Sequence, residues 1–175
     1  MRRASAALLI LLLAGCGRPA PEAKAVDEDN PLELAARERG IVRSESADLT
    51  GVFERRHDIG RDAMCVVPDG AGRWRFALTA SYGPGLSCEA RGSAVREGQG
   101  WRLDFAGAEG CSAVVHEDED ELRLPGRLPP QCEKLCPNRA SLSGLRLPRA
   151  SWAAADARRL QIKDKDGNMA TPCGS

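Results

Sequence analysis

The stretch Trp74-Arg75-Phe76-Ala77-Leu78-Thr79 decides the fold, because its even-numbered residues are all apolar and two of its odd-numbered residues are polar. The stretch Trp101-Arg102-Leu103-Asp104-Phe105 alternates strictly, and Leu122-Arg123-Leu124 repeats the pattern briefly. Alternation with a period of two is typical of strands with one face on a core and one face in water. A face of small residues follows the same period at Cys88, Ala90, Gly92 and Ala94. The sequence therefore predicts antiparallel strands from Gly51 onward.

Three turn-like segments, residues 68–72, 96–100 and 117–121, separate these strands in pairs. Their glycines and acidic residues are typical of hairpin turns. We therefore expect successive hairpins, with Cys65, Cys88 and Cys111 at one end of the sheet. The predicted fold class is mainly β: a curled antiparallel meander or a small barrel of about six to eight strands, with two short peripheral helices.

Capping signals place the two helices outside this sheet. Asn30 and Pro31 begin a helix over residues 31–40, since Asn is a favoured N-cap and Pro a favoured first residue. Ser151 is the expected cap of a second helix over residues 152–160. Segments 160–163 and 169–171 then form a final hairpin around the turn at residues 164–168.

The composition excludes some classes of function. The chain has 175 residues, with 25 Lys and Arg against 25 Asp and Glu, and only 4% aromatic residues. A neutral chain with few aromatic side chains lacks the basic surface and the stacking groups of a nucleic-acid binder. A hydrophobic content of 42% excludes wholesale disorder.

The N-terminus carries an export signal. Arg2 and Arg3 precede an apolar run over residues 6–14, which has the length of a secretory signal core. The run ends in Leu13-Ala14-Gly15-Cys16, which resembles the lipobox of bacterial lipoproteins. The resemblance implies cleavage before Cys16, lipidation of Cys16 and a location in the bacterial cell envelope. Gly17, in place of Asp, favours the outer membrane, with the body facing the periplasm.

These features divide the chain into four parts. Residues 1–15 are the predicted signal peptide, and residues 16–30 a flexible tether with Pro19, Pro21 and an acidic cluster. Residues 31–47 hold the short docking helix and a linker. Residues 48–175 form the predicted disulfide-bearing β-domain.

The cysteines predict a disulfide framework. Without Cys16, six of the seven remain: Cys65, Cys88, Cys111, Cys132, Cys136 and Cys173. An even number in a small exported domain indicates bridges. Cys88 and Cys111 lie on strands separated by one other strand, about 10 Å, which is too far for a bond. We therefore expect the strand cysteines to pair with the C-terminal segment that holds Cys132, Cys136 and Cys173. The spacing of Cys132 and Cys136 differs from the C-x-x-C of thiol oxidoreductases.

The sequence predicts no enzyme, no cofactor and no metal site. His57 and His116 are expected to be solvated, because nothing in the sequence orients them. The segment Ala140-Ser141-Leu142-Ser143-Gly144 lacks the first glycine of a nucleophile elbow. The acidic segments 117–121 and 164–168 do not have the spacing of a calcium loop, so we interpret them as turns.

The candidate binding residues are Arg75, Arg91 and Arg102 on the outward face of the sheet and Tyr82 in the loop Ser81-Tyr82-Gly83-Pro84-Gly85. The aromatic ring set Trp74, Phe76, Trp101 and Phe105 is the expected core; alternatively, it lines a small ligand cavity. The predicted function is a non-enzymatic binding module for an envelope protein or a small apolar ligand, tethered to the membrane by its lipid anchor. The alternative is an inhibitor of a periplasmic or exogenous hydrolase, since the domain is loosely similar to lipoproteins that inhibit lysozymes or proteases.

Overall fold

The computed structural model describes residues 48–118, 120–137, 139–164 and 168–174, together with Pro31 and Ala35. Pro31 and Ala35 are both helical. The predicted signal peptide, the predicted tether and the rest of the helix predicted over residues 31–40 lie outside the described residues.

The body is an antiparallel β-barrel of eight strands, closed by the pairing of the first strand with the last. This confirms the predicted mainly β class and selects the barrel over the open meander. Closure gives every strand two neighbours, so no edge of this sheet is left unpaired. The strands are β1 (Gly51–His57), β2 (Gly60–Pro68), β3 (Arg73–Ser81), β4 (Ser87–Glu97), β5 (Gly100–Phe105), β6 (Ser112–Asp118), β7 (Glu121–Arg123) and β8 (Arg146–Ser151).

The three predicted turns lie between β2 and β3, between β4 and β5, and between β6 and β7. Successive residues of a strand face opposite sides of the barrel wall, so the alternating apolar residues all meet inside. Gly92 shows why the small face is needed: it lies opposite Phe76 on one side and Phe105 on the other. A Cβ atom there would lie 1.9 Å from the carbonyl oxygen of Asp104 and 3.0 Å from the Phe76 ring.

The four aromatic side chains form the core. The rings of Trp74 and Trp101 pack edge to face with centroids 4.8 Å apart, and those of Phe76 and Phe105 do so at 5.4 Å. Such pairs contribute about 0.5–1.5 kcal/mol beyond the area that they bury. Further buried side chains from the surrounding strands complete the same cluster: Phe53, Met64, Val66, Leu78, Leu103, Val115, Leu122 and Leu147. The barrel interior is therefore occupied by side chains.

The C-terminal segment forms a second layer on the outside of the barrel. It contains helix α1 (Ala154–Arg159) and the hairpin of β9 (Ile162–Lys163) and β10 (Met169–Ala170). Ala157, Leu160 and Ile162 pack on the outward side chains of β2 and β3. Because β2 is covered on both faces, its residues 63–67 are all buried. The predicted final hairpin is confirmed.

One helix prediction is wrong in its starting point, and one helix was not predicted from the sequence. Helix α1 begins at Ala154 with Ala153 as its N-cap, instead of at residue 152 with Ser151 as the cap, because Ser151 belongs to β8. The Ser151 hydroxyl instead accepts a hydrogen bond from the Ala153 amide and donates one to Asp156. A 3₁₀ helix over Pro130–Leu135, which the sequence analysis did not predict, lies in the β7–β8 connection.

All six cysteines of the body are paired. The bridges are Cys65–Cys173, Cys88–Cys136 and Cys111–Cys132. The pairing of strand cysteines with the C-terminal segment is confirmed. The expectation that Cys65 lies with the other two at one end of the sheet is wrong: Cys65 faces outward in the middle of β2, under the C-terminal layer. Each bridge stabilises a fold by about 2–4 kcal/mol, chiefly by restricting the unfolded chain.

The barrel has two ends of different construction. We call one the disulfide end: it holds the β1–β2 turn, the loop 82–86, Cys88, Cys111 and the β7–β8 connection over residues 124–145. We call the other the arginine end, where Arg149 forms two hydrogen bonds with Glu117 and lies 4.2 Å over the ring of Phe53.

Candidate functional site

A groove with a volume of about 610 Å³ lies on the outside of the barrel, next to the disulfide end. One side is the barrel wall at the start of β2 and the end of β3. The other sides are the loop at residues 83–87 and the strand β9 with its flanking residues. This volume falls in the range of about 300–1,000 Å³ that is typical of binding pockets.

The loop wall is held by its own backbone. The Tyr82 amide donates to the Leu86 carbonyl at 2.8 Å, and the Leu86 amide donates to the Gly83 carbonyl at 3.1 Å. Gly83 and Gly85 have φ values of 120° and 70°, which side chains other than glycine rarely adopt. The sequence Gly83-Pro84-Gly85 therefore gives a tight loop with little side-chain bulk toward the groove.

The hairpin wall is fixed to the barrel at both ends. Ile162 is buried against the outer face of β2 and β3, and Cys173 is bonded to Cys65. Within the turn, the Asp164 amide donates to the Asn168 carbonyl at 2.9 Å, and the Asn168 amide donates to an Asp164 carboxylate oxygen at 2.8 Å. Both walls of the groove are thus preorganised.

Exposed apolar side chains border the groove. Ile59 is 57% exposed and Met169 is 56% exposed, and both line it. Tyr82 is also exposed and starts the loop that forms one wall. Of the large apolar side chains exposed in the described part of the chain, only Trp152 lies elsewhere. A cluster of such residues at a concavity indicates an interaction site.

Two basic side chains and one acidic side chain line the groove: Arg61, Lys163 and Asp164. Arg61 donates to Glu54 and, at 3.3 Å, to the carbonyl of Gln161. Burial raises the pKa of Glu54, but hydrogen bonds from Arg61 and Arg56 outweigh that effect, so its pKa is lowered. Lys163 is exposed, and no ion pair of Lys163 is found with the described residues. Of the two cations that line the groove, Lys163 is thus the one without an ion pair among the described residues.

A buried carboxylate lies behind the groove at the disulfide end. Asp62 accepts hydrogen bonds from Arg55 at 2.8 Å and from the Ser81 amide at 2.9 Å, and one of its oxygens is 3.1 Å from His57 Nε2. The expectation that His57 is merely solvated is therefore wrong, because Asp62 orients its ring. The Ser81 hydroxyl donates to the Ile59 carbonyl, so it is not bonded to His57.

Tyr82 is coupled to this cluster. Its hydroxyl donates to the Ser141 carbonyl in the β7–β8 connection. Burial, with a further contribution from the Asp62 carboxylate, raises the pKa of Tyr82 above its ordinary value of 10.0. The loop is thereby joined to the segment that closes the disulfide end.

The predicted binding residues do not form one site. Tyr82 begins the loop that forms one wall of the groove but does not itself line the groove, whereas Arg75 and Arg102 lie on the outward face of β3 and β5. Arg91 is nearer, because it lines a small crevice beside Ile162 and Lys163. Arg102 is paired with Glu97 at 2.8 Å and with Asp104 at 2.7 Å, which matches the ion pairing expected on a solvated face.

Three residues that line the groove were not predicted from the sequence: Ile59, Lys163 and Met169. They come from segments about a hundred positions apart, which only the folded chain brings together. The cluster around Asp62 did have a signal in the sequence. Arg55 and Asp62 are equidistant from the centre of the β1–β2 turn, so a hairpin there places them directly opposite each other.

No family model, curated protein or solved structure matches this chain. The described residues contain no helix with the length and apolar character needed to cross a bilayer. They also contain no cluster of three His, Cys, Asp or Glu side chains that is suited to a metal ion. Function must therefore be argued from the geometry of this chain.

Proposed function

We propose that the protein is a lipid-anchored bacterial envelope lipoprotein whose barrel is a non-enzymatic scaffold for binding another protein. The leader with Leu13-Ala14-Gly15-Cys16 supports the anchor, and the three bridges suit an oxidising compartment such as the periplasm. With Gly17 after the lipidated Cys16, the outer membrane is the favoured location.

The observation that carries the binding function is the groove itself. It has two preorganised walls, and Ile59 and Met169 expose apolar surface at its border. Exposed apolar side chains cost free energy in water, and a partner that covers them recovers it. The interior is occupied by the paired aromatic rings, so these observations favour a protein partner at the groove over a small apolar ligand inside the barrel.

Affinity capture with matched variants tests this function. The oxidised mature protein is immobilised and incubated with solubilised envelope proteins, in parallel with Met169→Asp and Arg102→Glu. We expect the wild type and Arg102→Glu to retain the same partner and Met169→Asp to lose it. Retention by all three proteins, or by none, would contradict binding at the groove.

The anchor needs a separate test. Cells expressing the wild type or Cys16→Ser are labelled with a radioactive fatty acid, and the membrane fractions are separated by density. We expect label in the wild type only, in the outer-membrane fraction. A labelled Cys16→Ser variant or an unlabelled wild type would contradict the proposed anchor.

Hydrolase inhibition is a second candidate, because the loop from Ser81 to Gly85 has the preorganisation that inhibitory loops need. Its amides bond to Asp62 and within the loop, and the Tyr82 hydroxyl bonds to Ser141. A panel of lysozymes and proteases is assayed with the wild type and with Tyr82→Ala. Inhibition that Tyr82→Ala removes would support this candidate, and the absence of inhibition by the wild type would contradict it.

A further inference from the structure

We propose that the groove binds its partner as an added β-strand: an extended, acidic segment of the partner pairs with the free edge of β9 and places a carboxylate beside Lys163. This inference rests on the proposed binding function and specifies the chemistry of the partner.

Among the residues that the structure describes, β9 pairs with β10 on one edge and with no strand on the other. The Asp164 amide donates a hydrogen bond to the Asn168 carbonyl, so these two residues form a hydrogen-bonded pair. Hydrogen-bonded and non-hydrogen-bonded pairs alternate along an antiparallel ladder, so the next pair, Lys163 and Met169, is a non-hydrogen-bonded one. Ile162 therefore directs its backbone groups at β10, and Lys163 directs its amide and carbonyl away from β10. An extended polypeptide is the ligand whose own backbone matches such an edge.

The orientation of the edge places it at the groove. On that edge the carbonyl of Gln161 accepts a hydrogen bond from Arg61, at the start of β2. Residues 161–164 all line the groove, whereas β10 contributes only Met169. The open edge of β9 therefore faces the space between the hairpin and the barrel, where a strand would enter.

Side-chain alternation then sets the character of the bound segment. Lys163 and Met169 are direct cross-strand neighbours, so their side chains share one face of the hairpin, while Ile162 is buried on the other. A strand added to β9 would set every second side chain next to Lys163 on this face. A carboxylate complements the ammonium group of Lys163, and an apolar side chain complements the exposed thioether of Met169.

The charge on the face shared by Lys163 and Met169 favours an acidic partner. Arg61 and Arg91 lie on two sides of the hairpin, but each has a carboxylate nearby: Glu54 pairs with Arg61, and Glu89 lines the crevice with Arg91. Asp164 also lines the groove, but its carboxylate accepts a hydrogen bond from the Asn168 amide within the turn. A basic segment placed on the face that Lys163 shares with Met169 would meet repulsion from the Lys163 ammonium group.

Selection from a displayed library of random linear twelve-residue peptides tests the inference. The target is the oxidised mature chain, and the selected peptides are synthesised with and without N-methyl groups on alternate backbone nitrogens. We expect enrichment of sequences in which acidic and apolar residues alternate. Because N-methylation in one of the two phases removes the backbone donor that pairs with the Lys163 carbonyl, we expect affinity to fall about fivefold in that phase.

Three variants test whether the peptides bind at the open edge of β9. We expect Lys163→Glu to weaken the selected peptides about tenfold or more, Lys163→Gln to weaken them less, and Arg102→Glu to leave affinity unchanged. No enrichment, no preference for acidic residues, or binding that both N-methylated forms retain would overturn strand addition. If envelope capture depends on Met169 while strand addition fails, the binding function stands and this inference is wrong. If the peptides bind as stated while envelope capture fails, the groove chemistry stands and the proposed function is wrong.

Discussion

At the arginine end of the barrel the Arg149 side chain is 1% exposed and its partner Glu117 is 10% exposed, so both charges of the pair are out of water. At the disulfide end, Asp62 is equally buried, but its partner Arg55 is 43% exposed, and His57 also reaches solvent. At the arginine end both partners of the ion pair are therefore buried. The other end presents basic groups to the surface beside the groove.

This difference indicates a division of roles. The Arg149 guanidinium also donates to the Thr50 carbonyl and lies over the Phe53 ring, so it connects β1, β6 and β8 where the barrel closes. The disulfide end instead depends on covalent bonds that hold the irregular segment 124–145 in place. The groove lies next to this covalently fixed end.

The largest expected effect is at the arginine end. Arg149→Met leaves Glu117 buried without its guanidinium partner, and breaking a buried pair in this way costs about 3–5 kcal/mol. Urea unfolding of the oxidised protein measures the loss. The double variant Arg149→Met with Glu117→Gln is expected to recover part of it, and a loss below about 1 kcal/mol in the single variant would show that this pair does not hold the end closed.

Removal of one bridge at the disulfide end is expected to cost less. Cys88→Ala with Cys136→Ala opens a loop of 48 residues and is expected to lower the free energy of unfolding by about 2–4 kcal/mol. Amide hydrogen exchange is expected to accelerate most over residues 124–145. Cys65→Ala with Cys173→Ala is the matched control, and its acceleration is expected in the C-terminal layer. Equal acceleration throughout the barrel in both variants would contradict the separation of these regions.

Tyr82 gives a pH-dependent measure of the same end. It is the only tyrosine of the chain, so phenolate absorbance reports it alone. Its pKa is raised in the folded state, so the neutral phenol stabilises the fold; this contribution is present below pH 10.0 and is lost as pH rises through the raised pKa. We expect titration above pH 10.0 and a lower midpoint in Asp62→Asn. Titration of the folded wild type at or below pH 10.0 would contradict the described environment.

The smallest effect is expected on the outward face between the ends. Arg102 is paired with Glu97 and Asp104, but all three side chains are well exposed. Exposed pairs contribute about 0–1 kcal/mol, so Arg102→Ala is expected to change urea stability by less than about 1 kcal/mol. A larger loss would mean that this face is part of the structural framework, and Arg102→Glu would then be unsuitable as a binding control.

The sequence predicts those strands whose apolar and polar residues alternate with a period of two. Alternation in Trp74–Phe76 and Trp101–Phe105 follows from the two-residue period of a strand, and it holds whatever the partner strand is. Strand β8 could not be predicted in this way, because its segment contains Pro148. One of its partners, β1, is distant in the sequence, and the other, β7, has only three residues. The groove could not be predicted from the sequence either, because Lys163 and Met169 form one surface only after Ile162 and Cys173 have packed on the barrel.

Photo-crosslinking in living cells tests the central claim most directly. A photoreactive residue replaces Met169 at the groove or Trp152, which lies beside Arg149 at the arginine end and is also exposed. The account predicts a discrete adduct with an envelope protein from position 169 and none from position 152, with loss of the adduct when Lys163→Glu is added. No adduct from position 169, or the same adduct from both positions, would contradict the claim that the groove is the binding surface.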